Sequence, residues 1–423
     1  MFDHTTTALA GLAVVAIVCQ WLAWRLRLPV ILLLLAAGIL AGPFSGLLHP
    51  DVLFGDLLPP LLSLAVAVVL FEGSLSFRIN DLSGLGGTVF KLVGPGALLN
   101  GFIIATTAHL LLGLPWLVAA LFGAIALVSG GSELQPLLRR TRPGARLRTV
   151  LRQESALLAP LATLTAVLLH AWLLAGAQRD PLLAFASALL AGGALGIAGA
   201  YLLALLLRNH LLPPHLINLA TLTLVLGNFT LASALEQEAG LLAVIVMGMT
   251  LANMKDLPLR ENVDFKESLS AAALSLLFLL VAARLEPSLL ATPHGEVLLL
   301  LGATLLLARP LAVLLATLWS DLTWPGPGLA GTCGPPCCRA AAAAALLAMQ
   351  PLQHPLAAAE TLLPLVLLLV VTSLLLQHLT AYPLGRLLGV SEAAPRGVLI
   401  IGAHGFARAL ARVLDAHGVR AVL

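Results

Sequence analysis

The sequence predicts an all-α, polytopic membrane protein with about 13 transmembrane helices arranged in two inverted repeats. Hydrophobic residues make up 60% of the 423 residues, and charged residues only 10%, whereas soluble domains carry about 25% charged residues. The mean hydropathy is +1.01. The apolar residues form continuous runs, not the alternating pattern of a transmembrane β-barrel. This composition excludes a soluble enzyme and a disordered chain.

Thirteen apolar segments, called spans one to thirteen below, have the length and composition of transmembrane helices. In chain order they are 7–24, 28–47, 57–75, 91–112, 115–137, 150–174, 181–207, 215–234, 239–254, 267–284, 295–319, 330–350 and 360–381. The first lacks a basic flank and a cleavage site, so we interpret it as a span and not as a signal peptide. The four cysteines form no disulfide framework, and we expect no metal site.

The basic residues orient the spans. With thirteen spans, most of them fall in connections on one side of the membrane, which we call the basic side: Arg25, Arg27, Arg78, Arg139, Arg140, Arg142, Arg146, Arg148, Arg152, Arg208, Lys255, Arg260, Lys266, Arg386 and Arg396. The positive-inside rule places this side in the cytoplasm. We therefore expect a multi-pass protein of the inner (plasma) membrane, with its N-terminus outside and its C-terminus in the cytoplasm.

The end of the chain changes character. Residues 398–401 form an apolar run, Gly402 and Gly405 follow, and an amphipathic stretch comes next. This order is typical of the first strand, glycine turn and helix of a Rossmann-like nucleotide-binding domain. We expect a transmembrane domain over 1–390 and a truncated start of such a domain over 391–423. Gly402 and Gly405 are weak nucleotide-binding candidates, and no nucleotide binding is expected from this piece alone.

Charged residues inside spans are functional candidates, because a charge at the bilayer centre costs about 2.5–3.5 kcal/mol even on permissive scales. Glu72 lies in span three, Glu133 in span five and Glu154 near the start of span six. Each also has a structural interpretation, as an interfacial carboxylate, the lining of a polar break or a helix-end carboxylate. Arg284 in span ten and Arg309 in span eleven either extend to the interface or pair with buried acids.

Two spans are interrupted by helix-breaking residues. Ser129, Gly130, Gly131 and Ser132 interrupt span five, and Gly334, Pro335 and Pro336 interrupt the start of span twelve. Such backbone is tolerated at membrane depth only where protein buries it or it lines a cavity. Two interrupted spans, seven apart, are typical of a transporter with inverted repeats, here spans one to six and eight to thirteen.

Several motifs together resemble the bacterial monovalent cation:proton antiporters of the NhaP type, in the branch with a TrkA-N-like nucleotide-binding domain. They are VLFEGSLSF around Glu72, the basic connection PLLRRTRPGARLRTVLRQES, EQEAGLLAVIVMGMTLAN, VDFKESLSAAALSLLFLLVAARL and PLVLLLVVTSLLLQHLTAYPLGRLLGV. The resemblance implies exchange of Na⁺ or K⁺ for H⁺ without a cofactor. It also implies a homodimer in the lipid bilayer and broken helices that cross near the midplane.

The resemblance assigns ion or proton binding to Glu72, Glu154 and Ser155 by motif position. We add Glu133, Ser129 and Ser132 of the span-five break as further oxygen ligands. In the family an aspartate normally follows four residues after the span-six serine, but here that position is Ala159.

The family's span-twelve arginine, which the resemblance pairs with the span-six glutamate, is replaced by Pro336. We expect Arg339, three residues further along, to take over the pairing with Glu154, and Arg284 to act as a second structural cation.

Three functions remain open. The first is a secondary active cation:proton antiporter, and the second is a transport-impaired or degenerate member that lacks the span-six aspartate. The third is a passive cation pathway gated by a nucleotide-binding domain, which the truncation disfavours. An enzyme is not expected, and neither is nucleic-acid binding, since membrane orientation explains the basic connection 139–152. The sequence does not separate Na⁺ from K⁺.

Overall fold

The structure is a computed structural model that describes most of the chain. The described residues are 2–26, 28–75, 77, 79, 86–127, 138, 141, 143–175, 181–236, 239–254, 263–284, 295–317, 357–387, 398–399, 402, 404–416 and 421–422.

Twelve of the predicted spans coincide with apolar helices in the described part of the chain; 330–350 lies outside it. In order the helices are Phe2–Leu26, Val30–Ile39, Leu58–Leu75, Gly86–Lys91 with Ala97–Leu112, Trp116–Leu127, Ala145–Ala175, Pro181–Arg208, Ile217–Leu235, Ala239–Asn253, Val263–Ala283, Gly295–Gly302 with Arg309–Thr317, and Ala357–Leu387. Six of these helical stretches are long and apolar enough to cross a membrane, and six more are apolar but shorter. A short helix, Pro50–Phe54, precedes span three.

Among the described residues, three spans contain a π-helical turn, and each turn lies at a proline. Leu40–Phe44 ends span two and contains Pro43, and Leu92–Gly96 lies within span four and contains Pro95. Ala303–Ala308 lies within span eleven, just before Arg309 and Pro310. Proline lacks the N–H that an α-helix requires and its ring clashes with the preceding turn, so a wider turn accommodates it.

Hydroxyl groups exposed on the surface of the helix bundle are bonded within their own helices. Thr165, Thr223 and Thr230 are exposed on the surface of the bundle, and each donates a hydrogen bond to the carbonyl oxygen four residues earlier, at 2.8–3.0 Å. Because the bilayer core offers no water to these groups, this bonding allows threonine on an apolar surface.

The described helices pack as two sets. Spans one, two, three, eight, nine and ten contact one another, and spans four, five, six, eleven and thirteen form the second set. Span seven packs against spans eight and nine of the first set and span six of the second. Spans three and nine also contact span six, so span six lies where the two sets meet.

The C-terminal residues form a strand–helix–strand unit. Val398–Leu399 pairs in parallel with Ala421–Val422, and the helix Gly405–Ala416 lies between the two strands in sequence. Gly402 precedes the helix with φ of +111°, a conformation that residues with a side chain rarely adopt. The Rossmann-like character of this piece and nucleotide binding both stay predictions.

Span seven approaches span nine closely at Gly196. A β-carbon there would lie 2.6 Å from the carbonyl oxygen of Ala243 and 2.8 Å from Cβ of Val246. One turn earlier, Gly193 has open space around it. The two glycines therefore provide a matched test of the packing of span seven.

We predict that Gly196→Ala lowers the melting temperature of the purified protein, because overpacking of this kind costs about 1–3 kcal/mol. Gly193→Ala is expected to leave it unchanged or to raise it slightly, since alanine favours the helix. Differential scanning fluorimetry in detergent measures both. Equal melting temperatures for the two variants would contradict the close contact between spans seven and nine.

Candidate ion-pair site between spans six and eleven

A buried ion pair joins span six to span eleven. Nη2 of Arg309 lies 2.7 Å from Oε1 of Glu154, and their side chains are only 11% and 5% exposed. Burying either charge alone at this depth would be costly, so each residue requires the other. The pair fixes the relative position of two helices that are far apart in sequence.

The local structure of span eleven places Arg309 at this point. Its π-helical turn ends at Ala308, and Arg309 and Pro310 begin the next helix, Arg309–Thr317. The wider turn avoids the clash of Pro310 with the carbonyl four residues earlier. Turns of this type occur often at functional sites.

Apolar side chains surround the pair. Val150 and Leu157 lie four residues before and three after Glu154, and therefore on the same face of the helix. They form one buried cluster with Val313, four residues after Arg309, and with two residues of span four, Val89 and Leu92. The cluster shields the ion pair from water and strengthens the attraction between its charges.

Spans four, six and eleven each carry a buried oxygen atom that has no hydrogen-bond partner in the described part of the chain. These atoms are Oγ of Ser155, Oγ1 of Thr304 and Oδ1 of Asn100, whose residues are 3%, 1% and 4% exposed. Spans four and eleven, which carry Asn100 and Thr304, pack against each other. Ser155 was predicted from its motif. Asn100 and Thr304 were missed, although an asparagine within apolar span four is a visible signal.

Glu72 lies away from the ion pair, at a cleft within the first helix set. It is half-buried in span three and borders a cleft that spans eight and ten complete. The cleft has about 30 Å³ of space for water, enough for about two water molecules. Its lining is Val68, Phe71, Glu72, Leu75, Asn218, Thr221, Leu222, Val225 and Leu269. Glu72 therefore faces a cleft of the first helix set, while Glu154 is paired within the second.

Arg284 forms an ion pair with an exposed acid. Its Nε lies 3.1 Å from Oδ2 of Asp51, whose side chain is 59% exposed. The pair connects the end of span ten to the short helix before span three. An exposed pair of this kind contributes little to stability.

Ser129, Ser132, Glu133 and Arg339 lie outside the described residues. The partner that the structure gives Glu154 is Arg309, and the expected pairing of Glu154 with Arg339 stays a prediction.

The family of the chain follows from a comparison with known proteins. Residues 13–386 match the family model described as "Sodium/hydrogen exchanger, transmembrane". The chain belongs to the sodium/hydrogen exchanger family. It is accordingly a multi-pass membrane protein. The resemblance to cation:proton antiporters that the sequence predicted is confirmed at the level of the family.

Individual relatives are distant. The chain is 27% identical to the K⁺/H⁺ antiporter NhaP2 of Shewanella sp. strain ANA-3 over 316 residues, which cover 73% of this chain and 54% of that protein. It is 26% identical to Na⁺/H⁺ antiporter 1 of Methanocaldococcus jannaschii over 317 residues, or 71% of this chain and 72% of that one. The chain thus spans about half the length of the Shewanella relative.

A solved exchanger structure has the same fold. The sodium proton antiporter MjNhaP1 from M. jannaschii at pH 8 superimposes with a TM-score of 0.74 at 23% identity, covering 91% of this chain and all of that one. The arrangement of helices described above is therefore that of a known exchanger fold.

We predict that Glu154→Gln and Arg309→Gln each lower the melting temperature strongly, since removing one partner of a buried pair costs about 3–5 kcal/mol. The double variant is expected to lose much less than the sum, because no uncompensated charge remains. Arg284→Gln, which breaks the exposed pair, is the matched control and should cost at most about 1 kcal/mol. Additive losses in the double variant would show that Glu154 and Arg309 do not depend on each other.

Proposed function

We propose that the chain is a secondary active antiporter that exchanges Na⁺ or K⁺ for H⁺. The observation that carries the proposal is the match of residues 13–386 to the sodium/hydrogen exchanger family, in a chain whose half-buried Glu72 borders a cleft. The named relatives, a K⁺/H⁺ and a Na⁺/H⁺ antiporter, support the same activity and leave both cations as candidates.

In this proposal Glu154 is a fixed partner of Arg309. The salt bridge neutralises its carboxylate, so in the observed conformation it is not free to bind a cation. Exchange then requires another carboxylate, and Glu72 is the described candidate, because it is half-buried beside a cleft that also contains Asn218 and Thr221. Glu133, Ser129 and Ser132 of the span-five break remain candidate ligands, as does Ser155.

The coupling follows from competition. Desolvation favours the protonated form of a carboxylate, and a cation that binds the ionised carboxylate must displace the proton. One site that holds either a cation or a proton exchanges them when it opens alternately to the two sides. We infer that the two helix sets move against each other to produce this alternation, and that they contain two interleaved inverted repeats.

The remaining assignments extend the proposal. We propose that the N-terminus lies outside and the C-terminus in the cytoplasm of an inner-membrane protein, which the distribution of the basic connections supports. The family resemblance supports a homodimer. Residues 391–423 are proposed as the beginning of a TrkA-N-like domain after a transmembrane domain of 1–390, with no nucleotide bound by this piece alone and no nucleic-acid partner.

Proteoliposomes with an imposed pH gradient test the activity. We predict that Na⁺ or K⁺ collapses the gradient with the native chain, and that Glu72→Gln abolishes this exchange because the amide cannot carry a proton. Glu72→Asp should retain part of it. Glu296→Gln, which removes an exposed carboxylate at the start of span eleven, should exchange like the native chain. Unchanged exchange by Glu72→Gln would reject Glu72 as the carrier.

Ala159 supports the alternative of a transport-impaired member. It lies in the same helix as Glu154 and Ser155, and alanine can neither bind a cation nor carry a proton. We predict that Ala159→Asp raises the exchange rate, because a second carboxylate joins the site, and that Ala159→Asn does not. If the native chain is silent and Ala159→Asp exchanges, the impaired reading is correct. If both carboxylate and amide variants behave alike, the missing aspartate does not limit transport.

A further inference from the structure

Phe77 connects the two helix sets. It follows span three, which belongs to the first set, and its half-buried side chain packs against the cluster that surrounds the ion pair. That cluster comes from spans four, six and eleven of the second set, through Val89, Val150 and Val313 among others. The backbone of Phe77 therefore continues from the first helix set, whereas its side chain packs against the second.

Asn253 holds the backbone at Phe77 and at Ile79. Located at the end of span nine, it donates from Nδ2 to the carbonyl oxygen of Phe77 at 3.1 Å. Its Oδ1 accepts the N–H of Ile79 at 2.7 Å. The same Nδ2 also donates to the carbonyl oxygen of Met249 at 2.7 Å, which orients the amide from within its own helix. One side chain thus satisfies a donor and an acceptor of the segment that carries Phe77.

The end of span three is further fixed by a close contact with span nine. A β-carbon on Gly248 would lie 2.7 Å from Cβ of Ser74 and 2.9 Å from the carbonyl oxygen of Phe71. Phe77 donates its N–H to the carbonyl oxygen of Ser74 at 3.2 Å. Span three, span nine, Phe77 and Ile79 are therefore held together by close packing and hydrogen bonds.

We propose that Phe77 is an apolar plug on the basic side of the Glu154–Arg309 site and that Asn253 is the positioning residue that holds the plug in place. The plug lies where span three ends and spans four and six begin, and all three of these points face the basic side in the thirteen-span topology. An apolar constriction excludes water and hydrated ions. Phe77 thereby shields the described part of the site from the basic side in the observed conformation.

The plug opens and closes only if the two helix sets move against each other, and this part of the inference rests on the proposed function. When the second set moves, the cluster around the ion pair separates from Phe77, which stays on span nine through Asn253. Opening of the basic side is thus coupled to the loss of one aromatic contact. The hydrogen bonds of Asn253 persist in both conformations and set the position to which the plug returns.

Accessibility of a cysteine at the site tests the plug without any transport measurement. Ser155→Cys is introduced into the full chain after replacement of Cys19, Cys333, Cys337 and Cys338 by alanine. Membrane vesicles of both orientations are treated with a membrane-impermeant maleimide, and the labelling rate is measured by mass spectrometry. Because the assay reads only access, a chain that fails to exchange cations still gives a clear result.

We predict that Phe77→Ala raises the labelling rate from the basic side about tenfold or more, since truncating a packed phenylalanine removes most of its contacts. Asn253→Ala should also raise the labelling rate from the basic side. Asn253→Asp should give a smaller rise, because it keeps the acceptor for Ile79 and loses the donor to Phe77. If Phe77→Ala does not fold, Phe77→Leu and Asn253→Asp carry the test, as both preserve most of the packing.

Two controls match the variants by residue type. Phe90→Ala truncates an exposed phenylalanine of span four, and Asn228→Ala removes a buried asparagine whose amide contacts Met247 and not the segment of Phe77. Neither should change the labelling rate. Equal rates in all folded variants, or a rise from the opposite side only, would overturn the plug. A rise with no cation exchange in proteoliposomes would reject the proposed function and retain the plug.

Discussion

The need to pair a charge inside the membrane determines the organisation of this protein. Glu154 and Arg309 are both too costly to bury alone, and their contact brings span six against span eleven. The turn of span eleven at Pro310 places the arginine, and the helical spacing of Val150 and Leu157 provides the apolar walls. Phe77 packs on the outside of the same cluster, so the pair, its enclosure and its closure on the basic side form one continuous structure.

This pairing also limits what the site does chemically. A carboxylate neutralised by a guanidinium is a poor cation ligand, and the position of the family's usual aspartate is Ala159. The buried oxygens of Ser155, Thr304 and Asn100, on spans six, eleven and four of the described part of the chain, belong to neutral groups. Net charge for cation binding must therefore come from elsewhere, which explains why we assign the exchanging role to Glu72 and why Ala159→Asp is informative.

Much of the fold was predictable because a membrane converts composition directly into structure. An apolar run of sufficient length has to be a helix, so twelve spans could be located from sequence alone. The partner of Glu154 could not be predicted from the sequence. Periodicity places a residue on a helix face, but it does not say which distant helix packs against that face. The sequence left Arg309 with two interpretations, extension to the interface or pairing with a buried acid, and did not say which acid that would be. The contact of Phe77 with the second helix set, and its fixation by Asn253, depend on tertiary packing that no local pattern encodes.

Proton release on cation binding tests most directly whether Glu154 is a fixed partner and not the proton carrier. Na⁺ or K⁺ is added to the detergent-solubilised protein in weak buffer with a pH indicator, using the native chain and the double variant Glu154→Gln/Arg309→Gln. The double variant replaces a neutral ion pair by two neutral amides and keeps the fold. The account predicts that both proteins release protons to the same extent. A folded double variant that releases none, while the native chain does, would show that Glu154 itself carries the exchanged proton.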